Sequence, residues 1–174
     1  MPKIIAFSGK SNSGKTTLIC KIAEILRNNG KSVAIIKHDP KDKAEFDTQG
    51  KNEGKDSYKF SCVAQNVAVI SPRKSVIFGF CTQPDSAYEL REFSRVLEFF
   101  SACDYVLIEG LRYLPYKRII VAREELDCAY LDYGVAIAMD RKLRESTDVA
   151  TLKNLKVLDL NNPQEIVEFI DKEC

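Results

Sequence analysis

Apolar residues in this chain fall into two kinds of run. Some are short and continuous, as in residues 3–8, where Ile4, Ile5, Ala6 and Phe7 sit together and a glycine follows. Such a run predicts a strand buried on both faces. Others recur at the helical period, as in residues 16–29, where Leu18, Ile19, Ile22, Ile25 and Leu26 form a stripe that Asn29-Gly30 ends. By the same reading residues 32–37, 105–108, 118–122 and 135–139 are strands, and 155–158 is a weaker one. Residues 66–70 and 74–80 are two strands joined at Ser71-Pro72-Arg73, a tight turn that makes the pair antiparallel. Residues 56–65 predict a short helix. Residues 86–101 predict a longer one, with Ser86 and Glu89 as a capping box and Leu90, Phe93, Leu97 and Phe100 facing inward. Asn162 caps the last helix, Pro163 takes its first position, and Ile166, Phe169 and Ile170 face the core. Strands alternating with helices argue for an α/β layer fold with a mainly parallel, mixed sheet in a single domain over residues 1–174.

Between the second strand and the short helix lies a polar stretch, residues 38–55, rich in lysine and aspartate with Gly50 and Gly54. It is longer than an ordinary connection and too polar to offset its own conformational entropy by burial. It is expected to be mobile when empty and to order around a ligand or partner.

Composition narrows the function classes. Lysine plus arginine number 26 and aspartate plus glutamate 25, so no global charge draws the chain to nucleic acid or an anionic membrane surface. No apolar run is long enough to span a bilayer, and the first apolar run is too short for a secretory signal, so a cytoplasmic protein is expected. The six cysteines are scattered without a Cys-x-x-Cys pair, which argues against a disulfide framework or a cysteine zinc site. Most are expected as small buried hydrophobes, with Cys174 an exposed thiol. His38 is the single histidine, so no histidine metal cluster exists.

The strongest chemical signal is Gly9-Lys10-Ser11-Asn12-Ser13-Gly14-Lys15-Thr16, a complete Walker A motif between a buried strand and an amphipathic helix. Gly9 and Gly14 let the backbone curl so that successive N–H groups point at one anion, and the helix start adds its positive dipole end. Lys15 is expected to be exposed in the empty loop and to reach the outer phosphates of a nucleoside triphosphate. The Thr16 hydroxyl is the natural magnesium ligand, and Thr17 can bond an inner phosphate. The fold that this motif predicts is the three-layer P-loop NTPase-like one. Lys10 either reaches across a dimer to a partner's nucleotide or is a solvated loop lysine.

Residues 104–110 form an apolar strand ending in Glu109-Gly110, the pattern of a Walker B element with glutamate for aspartate. A carboxylate at that strand end faces the phosphate crevice and can hold magnesium. Asp39, after Lys37-His38, can orient the attacking water or serve only as a turn residue before Pro40. Arg112, Lys117, Arg118 and Arg123 form either a basic rim for a second anion or a solvated loop. Asp140, ending a strand, is a possible base contact.

These elements together resemble the molybdopterin-guanine dinucleotide biosynthesis protein B family. The resemblance rests on the P-loop through Leu18, Lys37-His38-Asp39, Asp47 followed by Gly54-Lys55-Asp56-Ser57, Glu109-Gly110, and a proline-then-basic-strand segment from Pro115 to Arg123. The segment between Asp47 and Asp56 is longer than in the family, and Arg112 stands where a lysine is common. The resemblance implies a homodimer, GTP with Mg2+, weak GTP hydrolysis and partnership with the molybdenum cofactor guanylyltransferase, and it admits molybdopterin as a further ligand. Two other readings use the same loop. A small-molecule kinase needs an arginine-bearing lid, and residues 38–55 carry no arginine. A nickel-delivery GTPase needs clustered cysteine and histidine ligands, which the sequence lacks.

Overall fold

The computed structural model describes residues 1–40, 56–64, 66–79, 81, 85, 87–147, 152 and 155–174. The 41–55 part of the polar stretch and the Ser86 half of the predicted capping box lie outside the described residues. The chain divides into two compact units, one of Met1–His38 with Ser94–Cys174 and one of Asp39–Phe93.

The first unit is built on six parallel strands in the order β2-β5-β1-β6-β7-β8. These are β1 (Lys3–Ser8), β2 (Val33–Lys37), β5 (Tyr105–Glu109), β6 (Arg118–Ala122), β7 (Gly134–Met139) and β8 (Lys156–Asp159). The continuous apolar runs have a simple cause: both faces of the central strands are covered. In β6, Ile119 and Val121 join a cluster with Ile5, Phe7 and Leu107, beneath α1 (Lys15–Asn28) and α5 (Pro163–Glu173). Ile120 and Ala122, on the alternate face, join Ile137, Met139, Leu131 and Leu143, the last on α4 (Arg141–Ser146). The α1 stripe of Leu18, Ile19, Ile22 and Leu26 is buried as the periodicity predicts.

The second unit contains α2 (Asp56–Ser61) and an antiparallel pair, β3 (Asn66–Ile70) and β4 (Ser75–Gly79). Ser71 closes its turn by donating N–H to the Lys74 carbonyl at 2.8 Å. Val67 and Phe78, opposite each other in the register, are its buried pair. The antiparallel pair forms a two-stranded sheet of its own, and the six-stranded sheet is parallel among the described residues, within the mainly parallel α/β fold expected. Helix α3 (Tyr88–Phe99) begins in this unit and ends in the first.

Three expectations need correction. Leu90 of the predicted α3 stripe is exposed, while Phe93 is buried. The weak last strand is shifted one residue, to Lys156–Asp159, and α4 was not read at all because six residues are too few to display a helical period. Five cysteines are exposed and Cys103 is half-buried, so they are not core residues. Cys20 shows why: it lies on α1 between Ile19 and Lys21, off the inward stripe, and the branched aliphatics already fill the core. Among the described residues no helix is long and apolar enough to cross a membrane.

One polar staple pins the register of β2 and β5. The Asp104 carboxylate accepts from the Ser32 N–H and hydroxyl, both at 2.8 Å, and the Asp104 N–H donates to the same hydroxyl at 2.8 Å. Hydrogen bonding from the Ser32 backbone, then from its side chain, holds the Asp104 carboxyl below its ordinary 3.8. A depressed folded-state value gives stability that is complete well above 3.8 and is lost as pH falls through the lower folded value. Asp104→Asn should therefore melt at a lower temperature than the parent at pH 7, and the gap should close in acid. Thermal melts between pH 3 and 7 check this; a gap independent of pH would show that the charge of Asp104 contributes nothing.

Candidate functional site

The P-loop connects β1 to α1, and its shape is forced by contact with β6. β1 pairs with β6 only as far as Ser8 opposite Ile120, while β6 continues to Ala122. The overhang walls the loop on one side. A Cβ on Gly9 would stand 2.2 Å from the Val121 carbonyl oxygen, so only glycine fits. At the other end of the loop Gly14, with φ of 94°, is the left-handed N-cap from which α1 starts without a side-chain cap. That leaves the first N–H groups of α1 facing the loop, as an anion site requires. Ser11 and Asn12 are exposed at the loop tip, and Ser13 is buried, with its hydroxyl near Gly9 and unpartnered.

Lys15 does not stand free in solvent as the sequence suggested. It is half-buried and folded back, its Nζ donating to the Gly9 carbonyl at 3.0 Å and the Lys10 carbonyl at 2.6 Å. Burial lowers its pKa first, with Glu109 opposing that shift and Lys37 adding to it. The loop's own carbonyl oxygens accept from the ammonium, and an anion's oxygens would have to replace them as its acceptors. Thr16 and Glu109 meet directly: the Thr16 hydroxyl lies 2.9 and 3.0 Å from the two Glu109 carboxylate oxygens. The sheet order makes this possible, since β5 lies beside β1 and Phe7 pairs with Glu109. Lys37, ending β2, places its Nζ 3.9 Å from Glu109, and the His38 N–H donates to the Glu109 carbonyl at 3.0 Å. Thr17 is exposed in the first turn of α1.

Lys10 remains solvent-accessible and is held within its own chain. Its Nζ lies 2.5 Å from Glu125 and 4.0 Å from Asp127 of the same chain, and the bond to Glu125 raises its pKa. The acidic partners went unread because nothing in the sequence brings residue 125 to residue 10. Asp39 opens the second unit and is half-buried there; its assigned role rests on the sequence. Asp140 caps α4, accepting from the Leu143 N–H at 2.8 Å.

The four basic residues after Glu109 do not form a rim. Arg118 is buried, with Nη2 donating to the Leu111 and Leu114 carbonyls at 3.2 and 2.8 Å, so it ties down the turn that follows Glu109. Lys117 donates to the Glu173 carbonyl, and Arg112 stacks over Tyr130 at 5.8 Å. Arg123 alone lies on the P-loop. Among the described residues no three His, Cys, Asp or Glu side chains are placed to hold a metal ion.

A parallel sheet with helices on both faces, a strand–loop–helix phosphate cradle and a carboxylate meeting the loop threonine define an α/β protein of the P-loop NTPase type. Comparison with known proteins narrows the class. The family model described as molybdopterin guanine dinucleotide synthesis protein B matches residues 4–140, and this chain belongs to that family. A molybdopterin-guanine dinucleotide biosynthesis adapter protein of Haemophilus influenzae is 27% identical over 97% of this chain and 87% of its own length. A putative adapter protein of Methanocaldococcus jannaschii is 29% identical over 79% of this chain, which spans 55% of that protein. A solved structure of molybdopterin-guanine biosynthesis protein B superposes with a TM-score of 0.70 at 25% identity, over 98% of this chain and 99% of that one.

The Gly9 contact makes a direct test. Gly9→Ala should destabilise the fold by about 1–3 kcal/mol through steric conflict with Val121. Gly30→Ala is the control, since a Cβ there meets nothing within 4 Å and carries only the cost of its positive φ. Denaturant unfolding of both variants checks the ranking; equal losses would show that the loop is not held against β6.

Proposed function

We propose that this chain is a nucleotide-binding adapter of molybdopterin-guanine dinucleotide biosynthesis. In this reading it binds GTP with Mg2+ on the Gly9 to Thr17 segment and hydrolyses it slowly. It assists the guanylyltransferase that builds the dinucleotide and works as a homodimer. The observation that carries the nucleotide part is the loop itself, curled by Gly9 and Gly14 with Lys15 and Thr16 at the start of α1. The adapter part is supported by family membership and by what its curated relatives are called.

The residues suit magnesium. Thr16 and Glu109 offer hard oxygens already within hydrogen-bond reach of each other, and so few protein ligands fit a cation that keeps waters and phosphate oxygens. Once bound, the cation supplies neutralisation of the outer phosphate charge. Lys15 would exchange its two loop carbonyls for phosphate oxygens, whose negative charge would offset the burial that lowers its pKa. Lys37 adds positive charge on the Glu109 side of the loop. The preference for guanine over adenine rests on the family, since the sequence has no Asn-Lys-x-Asp guanine-recognition motif.

Titrating GTP, ATP and their diphosphates, each with magnesium, tests the reading. Tight GTP binding is expected; no binding of any nucleotide would end it. Turnover that depends strongly on one small acceptor would instead make the chain a kinase. Lys15→Ala should weaken triphosphate binding at least tenfold to a hundredfold, the loss of charged hydrogen bonds, with an unchanged circular dichroism spectrum. Glu109→Gln should weaken magnesium-dependent turnover more than it weakens nucleotide binding. If turnover and its magnesium dependence both survive, Glu109 is only a strand end.

A further inference from the structure

Arg123 is the first residue after β6, and its exposed side chain lies on the phosphate loop. Its Nη2 and Nε stand 3.1 and 3.5 Å from where a Cβ on Gly14 would be. The neighbouring cations are all engaged: Lys15 with two carbonyls, Lys10 with Glu125, Lys37 near Glu109. Among the described residues Arg123 has neither a carboxylate nor a carbonyl partner. An unpaired guanidinium at the N-cap of a helix faces the positive end of its dipole, an unfavourable place for a cation unless an anion lies between them. The position is also held. Two residues on, Glu125 pairs with Lys10 at 2.5 Å, so the segment after β6 is tied to the loop it overhangs.

The sheet order decides which part of the anion Arg123 meets. Glu109 and Thr16 meet on the β5 side of β1, and Arg123 comes from β6 on the opposite side. If Thr16 and Glu109 hold the metal beside the outer phosphate, Arg123 would face the phosphates nearer the nucleoside. We propose that Arg123 is a phosphate ligand acting within its own chain, binding the phosphates that a nucleoside diphosphate and triphosphate share. The guanidinium fork suits two phosphate oxygens at once, which an ammonium cannot match. This rests on the nucleotide reading of the P-loop.

The test is calorimetric titration of GDP and GTP, each with magnesium, into the full chain and into Arg123→Gln and Arg123→Lys. Arg123→Gln should weaken both nucleotides about tenfold to a hundredfold and by equal factors, and Arg123→Lys should recover part of the loss. The melting temperature of the empty variants should not fall, because the side chain is exposed and its removal relieves like charge at α1. Unchanged affinities in Arg123→Gln would overturn the proposal, as would a loss confined to GTP, which would put the guanidinium at the outer phosphate. A parent protein that binds neither nucleotide overturns this proposal and the P-loop reading together. A parent that binds both while Arg123→Gln binds equally well overturns the proposal alone.

Discussion

The phosphate loop lies so close to the overhanging end of β6 that no side chain fits at Gly9. Much of the site follows from that contact. The Val121 carbonyl backs the loop, the chain must turn away from it, and the turn delivers α1 through a left-handed Gly14. Lys15 and Thr16 then occupy the first turn of a helix whose N-terminal N–H groups need partners. The contact requires β6 to run past the end of β1, and that stagger is fixed by pairing Ala6 with Arg118.

Three side chains of the loop find partners within the chain. Lys15 uses the loop carbonyls, Thr16 uses Glu109, and Lys10 uses Glu125. Each pairing is between groups that a bound phosphate or cation would claim, so binding exchanges hydrogen bonds rather than creating all of them. Net gain from such exchange is modest for each bond, and charge-assisted bonds give the most. Arg123 differs because it has no partner among the described residues to give up on meeting an anion. The same economy explains Arg118, which resembles its neighbours in sequence yet is buried. Its work is structural, holding the turn after Glu109 through two carbonyls.

Much of this was legible in the chain because it is local. The five continuous apolar runs of the parallel sheet are short and clear, since strands covered on both faces leave no alternation to confuse the reading. The P-loop was legible because glycine spacing, lysine and threonine must be contiguous to cradle one anion. Glu109 was legible because a strand-ending carboxylate declares its own position. The family's elements were readable as linear motifs, and the match over residues 4–140 agrees with them.

What the sequence could not determine was which distant residues meet. Strand order brings β5 to one side of β1 and β6 to the other, and from one chain the pairings of parallel strands joined by long crossovers are not readable. The tertiary structure alone therefore decided that Glu109 touches Thr16, that Glu125 holds Lys10, and that Arg123 rather than Arg118 reaches the loop. It also decided the exposed cysteines and the short α4, where six residues carry too little periodicity to be seen. The sequence by itself determined that this chain builds a phosphate cradle between a buried strand and a helix, because those interactions are made within a few residues. The charges gathered around that cradle depend on packing between strands far apart in the chain, and packing is a property of the folded sheet.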